Sequence, residues 1–130
     1  MKRRNKPLNK TLIIQLLICA GILCAAFFVS KYHYQLLYIH GDSMYPSYKS
    51  GEIVIIDKHR KDYFPGDVVA IDCRGLDSVI VKRIDHIEPG GFYVLGDNKD
   101  ASIDSRDPRV GIIKADDIIG FILPNKPPDE

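Results

Sequence analysis

A chain of 130 residues with a formal net charge of +1 has room for one small domain and an appendage, and its charge excludes the strongly basic surface typical of nucleic-acid binding. No Cys-x-x-Cys pair occurs among Cys19, Cys24 and Cys73, and the four histidines are scattered, so no zinc pattern is present and no cofactor is expected. Cys73 stands alone after the apolar N-terminal block, which rules out a disulfide within the rest of the chain and reads as a small buried strand residue.

The first element is an uncharged apolar run, Leu12 to Val29, interrupted only by Gln15 and Gly21. As a helix it extends about 27 Å, close to the hydrocarbon thickness of a bilayer. Lys2, Arg3, Arg4, Lys6 and Lys10 precede it, and only Lys31 and His33 follow it closely. Positive charge marks the cytoplasmic flank, so the N-terminus is expected inside and the remainder outside, in a single-pass protein of the cell membrane. The expected organisation is a basic cytoplasmic N-terminus (1–11), a transmembrane anchor (12–30), an extracytoplasmic β-rich domain (31–124) and a flexible polar tail (125–130). A cleaved secretory signal competes, because Cys24-Ala25-Ala26 offers small residues at alternate positions. The continuation through Phe27, Phe28 and Val29 favours an anchor.

Beyond Tyr38 come short β-branched runs separated by turn residues. Strands are expected at Glu52–Asp57, Asp67–Asp72, Ser78–Ile84, Phe92–Leu95 and Ile118–Leu123, with turns at Pro65-Gly66 and Pro89-Gly90-Gly91. One helical turn is allowed at Lys114–Ile119. The fold class is therefore mainly β: a transmembrane helix, then a small antiparallel sandwich or barrel-like domain.

Three segments carry candidate chemistry. Gly41-Asp42-Ser43-Met44-Tyr45-Pro46-Ser47 holds a serine in a loop, which alone is weak. Lys82 lies in a strand whose alternation puts Ile80, Lys82 and Ile84 on one face and Val79, Val81, Arg83 and Asp85 on the other. If the first face is the buried one, desolvation lowers the lysine pKa and leaves a neutral amine able to accept a proton from a serine. Periodicity does not choose between the faces. Gly96 to Arg106 (GDNKDASIDSR) follows a strand and is crowded with hydrogen-bonding groups, in which Asp104 and Arg106 are placed to form an ion pair and a serine to orient an amine.

Together, Ser-Met-x-Pro, Lys-Arg and Gly-Asp-Asn…Asp-Ser-Arg behind an N-terminal anchor resemble type I signal peptidase, from the anchor to about Gly120. Gly66-Asp67-Val68-Val69 resembles a further strand of that family. The resemblance implies Ser43 as nucleophile, Lys82 as general base, Ser102 as the hydroxyl that orients the lysine amine, and Asp104 with Arg106 as a supporting pair. It implies exported preproteins with small residues at the −1 and −3 positions as substrates, the lipid bilayer as a partner, no nucleic acid, and a mostly antiparallel β fold. Ser47, Lys99 and Ala101 depart from the commoner threonine, arginine and asparagine, and Gly41 removes a hydroxyl that some members place near the oxyanion. Only 13 residues separate Lys82 from Gly96, which resembles the minimal form of Gram-positive bacteria. The alternatives are a dedicated peptidase of the same fold for one pilin, conjugation or coat-protein substrate, a LexA-like self-cleaving protease, and an inactive anchored scaffold.

Overall fold

The computed structural model describes residues 9–125, and the chain divides after Tyr32 into two compact units. Most of the expected basic N-terminus and all but the first residue of the expected tail lie outside the described residues.

The first unit holds all but the last residue of the helix α1, Lys10–His33. Asn9 begins it: its side-chain oxygen accepts the Thr11 N–H and its carbonyl the Ile13 N–H, as an N-cap does. The helix extends beyond the expected 12–30 because neither Lys10 nor the Lys31–His33 stretch contains a breaker. At 24 residues it measures about 36 Å, and none of its side chains is buried. It is long and apolar enough to cross a membrane.

The second unit is one six-stranded antiparallel sheet: β1 Tyr34–Tyr38, β2 Ile53–Asp57, β3 Val68–Cys73, β4 Ser78–Glu88, β5 Gly91–Leu95 and β6 Ile118–Ile122. The order is β1-β2-β6-β3-β4-β5. Mainly antiparallel β behind an apolar N-terminal helix is thus the observed class, built as a single sheet whose central strand is covered on both faces. Central β3 shows why. Val69, Ile71 and Cys73 pack with Tyr63, Ile84, Val94, Val110, Ile113 and Ile118, while Val68 and Ala70 join Ile39, Met44, Tyr48, Val54, Ile56 and Ile122. A strand buried on both faces reads as a continuous apolar run, as DVVAID does. Cys73 is buried and unpaired.

Two elements depart from the expectation. β1 was not anticipated, because Tyr34–Tyr38 is exposed at nearly every position and shows no alternation; its strand character comes from pairing with β2, Tyr34 opposite Asp57 and Tyr38 opposite Ile53. β4 runs on to Glu88, because β5 pairs with it up to Glu88 opposite Gly91. The two-residue turn is Pro89-Gly90, with φ 93° at Gly90, a conformation glycine adopts without steric cost. The helical turn near Lys114–Ile119 is a short 3-10 turn, Ala115–Asp117.

Candidate active site

The loop between β1 and β2 carries Ser43. Its base is closed by Ile39 N–H donating to Glu52 O (2.8 Å) and Gly51 N–H to Ile39 O (2.9 Å). Met44, only 1% exposed, plugs the core beside β2, so the backbone next to Ser43 is held by packing. Among the described residues, no hydrogen bond engages the Ser43 N–H.

Lys82 lies in the middle of β4, opposite Val69. The face left open by periodicity is decided here: Lys82 is 3% exposed and Ile84 1%, while Arg83 is half-buried and Val79 exposed. The Lys82 Nζ and Ser43 Oγ lie 2.7 Å apart, 39 residues distant in sequence. Burial pushes the Lys82 pKa below the ordinary lysine value, and the carboxylates of Asp104 and Asp97 offset part of that shift. Beside the pair is a cavity of about 90 Å³ lined by Tyr38, Ile39, His40, Met44, Ile80 and Val81.

The third segment leaves the end of β5 at Gly96. A Cβ there would run into the Ser102 side chain and come within 2.6 Å of the Ser43 carbonyl oxygen, so only glycine lets the two segments meet. Asn98 N–H donates to that same carbonyl (2.9 Å), tying the loop to the serine's own backbone. Ser102 lies next to Gly96, and its hydroxyl donates to Asp104 Oδ2 (2.7 Å); no hydrogen bond joins Ser102 to Lys82 among the described residues. Asp104 is 1% exposed and accepts from Gly96 N–H (2.9 Å) and from Arg106 Nε (2.8 Å) as well. Burial opposes its ionisation, but the Arg106 guanidinium, the Gly96 N–H and the Ser102 hydroxyl outweigh burial and hold the carboxyl well below the usual range. Arg106 also donates to Lys99 O (3.0 Å), closing the loop on itself.

Sequence reasoning missed one pair. Arg83 makes two parallel hydrogen bonds to Asp97, Nε to Oδ1 at 2.8 Å and Nη2 to Oδ2 at 2.6 Å. Its Nη1 donates to Gly66 O (2.8 Å), and Nη2 reaches Ser47 Oγ (3.4 Å). One planar guanidinium therefore joins all four signature segments on the side of β4 opposite Lys82. The signal was present: an arginine directly after the lysine must face the other way in a strand.

Among the described residues, no cluster of three or more His, Cys, Asp or Glu side chains is placed to hold a metal ion. His86 bonds Asp85 and Glu88 and stacks on Tyr93 outside this site. The arrangement of Ser43 and Lys82, a hydroxyl against an amine whose proton affinity burial has lowered, suits acyl transfer through a serine nucleophile.

A search of curated proteins finds no match. The Peptidase S24-like family matches residues 20–122, well over half of the chain. With its serine and lysine in contact across that matched span, the protein belongs to the Peptidase S24-like family and is serine-peptidase-like.

Proposed function

We propose that this protein is a membrane-anchored type I signal peptidase of the minimal form, which removes N-terminal signal peptides from exported preproteins. The observation that carries the reading is the 2.7 Å approach of the buried Lys82 amine to the Ser43 hydroxyl. Neutral Lys82 takes the Ser43 proton as the oxygen attacks the scissile carbonyl, and the Ser43 N–H donates to the oxyanion, a contribution worth about 10²–10³ in rate per donor. Collapse of that intermediate breaks the peptide bond, and the Lys82 ammonium returns its proton to the leaving amine. Lys82 then deprotonates a water, whose oxygen attacks the acyl ester; the ester C–O bond breaks and the Lys82 ammonium returns the proton to the departing Ser43 oxygen. Ser102, Asp104 and Arg106 support this geometry by holding the Gly96–Arg106 loop against Ser43. The small cavity beside Ser43 suits the small side chains that precede the cut.

In this reading α1 is the anchor, the N-terminus is cytoplasmic and the sheet domain is extracytoplasmic. The family match is equally compatible with LexA-like self-cleavage. An apolar helix of membrane-spanning length, together with Asp104-Ser105-Arg106, favours signal-peptide removal.

The test is cleavage of a preprotein bearing an Ala-x-Ala site by the detergent-solubilised protein, beside Ser43→Ala and Lys82→Ala. Cleavage after the second alanine is expected from the unsubstituted protein, with a loss of about 10³-fold or more in either variant at unchanged secondary structure. Near-normal cleavage by Ser43→Ala would refute the mechanism. A folded protein that leaves this preprotein intact points instead to one dedicated substrate.

A further inference from the structure

We infer that His40 is a specificity-determining residue, which selects substrates carrying an oxygen acceptor, a carboxylate or a carboxamide, on a side chain flanking the small one that fills the cavity. This rests on the peptidase reading and deepens it. Two apolar residues of the cavity lining are buried, Ile39 at 5% exposed and Met44 at 1%. Ser43 and Lys82 engage one another. Two exposed lining side chains, Tyr38 and His40, make no side-chain hydrogen bond among the described residues; Tyr38 ends β1, whereas His40 lies in the loop that carries Ser43. Gly41, in the left-handed region at φ 85°, and Asp42 separate it from Ser43, and both His40 and Ser43 line the one cavity. Side chains of an extended peptide alternate sides, so the residue two positions from one seated in a cavity of about 90 Å³ points the same way, about 6.6 Å along, and falls at its rim. An imidazole N–H donates to carboxylate and carboxamide oxygens and has nothing to offer an aliphatic side chain.

The experiment uses full-length Ser43→Ala protein in detergent and three Ala-x-Ala peptides that differ only in an Asp, Asn or Leu two residues beyond the second alanine. Binding is read by fluorescence anisotropy. The Asp and Asn peptides are expected to bind about tenfold more tightly than the Leu peptide, the effect of one hydrogen bond to a polar partner. Adding His40→Ala should collapse the ratio to within about twofold, and His40→Gln, which keeps an N–H donor, should restore part of it. A ratio that survives His40→Ala, a flat ratio in the starting protein, or no binding at all would overturn the proposal. Cleavage of the same peptides by protein with Ser43 intact separates the two ideas. Binding with a His40-dependent ratio but no cleavage sinks the peptidase reading alone, whereas cleavage with a flat ratio sinks the role of His40 alone.

Discussion

Under the proposed function, Lys82 is the residue where function and stability oppose one another most directly. In the unfolded chain a lysine holds its proton up to about pH 10.4, and burial in the fold strips it earlier. Between those two values the unfolded chain binds more protons, so stability rises with pH across that window and the burden of burying Lys82 is full below it. Lys82→Met is therefore expected to stabilise the fold by about 1–2 kcal/mol at pH 6 while abolishing cleavage. The gain should shrink toward pH 10. Thermal melts of both proteins at the two pH values check this, and equal differences at both would show that the amine is not desolvated. Cleavage by the unsubstituted protein should increase with pH through the same window, since only the neutral amine accepts the serine proton.

At the scale of elements, β4 works on both of its faces. Toward the core it presents Lys82 to the Ser43 loop; on the other side Arg83 ties that loop, the turn before β3 and the loop after β5 into one unit. A lysine has no planar fork and cannot replace the two parallel bonds to Asp97. Arg83→Lys is expected to lower kcat/KM by about 10²-fold, chiefly through kcat, because a small shift of Ser43 relative to Lys82 is enough to lose the attack geometry. Stability should fall by only about 1 kcal/mol, since the pair is partly solvent-screened. Peptide kinetics and melts on one preparation decide it; kcat/KM within twofold of the starting protein would mean that Arg83 does not position the site.

For the whole molecule, two compact units divide the work under the proposed function, α1 as anchor and the sheet as catalyst. Removing residues 1–30 is expected to leave peptide cleavage within a few-fold and to reduce cleavage of membrane-inserted preproteins by about 10²-fold, because an anchor raises effective concentration without adding a contact to the reaction. Equal losses on both substrates would show that the sheet needs the helix to fold.

What the sequence determined by itself is whatever rests on local chemistry. An uncharged apolar run makes α1, β-branched runs make β2, β3 and β6, and Pro-Gly makes the β4–β5 turn, each from neighbours within a few residues. Asp104 and Arg106, two apart in one loop, are likewise close enough to pair wherever the loop goes. Motif resemblance marked Ser43 and Lys82 as candidates, but alternation left the lysine's face open. Tertiary structure decided the rest: that Lys82 points inward onto a serine 39 residues away, that Arg83 binds Asp97 14 residues on, that Ser102 donates to Asp104, and that exposed Tyr34–Tyr38 becomes a strand. The physical reason is common to these. Each depends on which partner the sheet brings alongside, and a strand with apolar residues on both faces, or on neither, does not announce its partner in its own sequence.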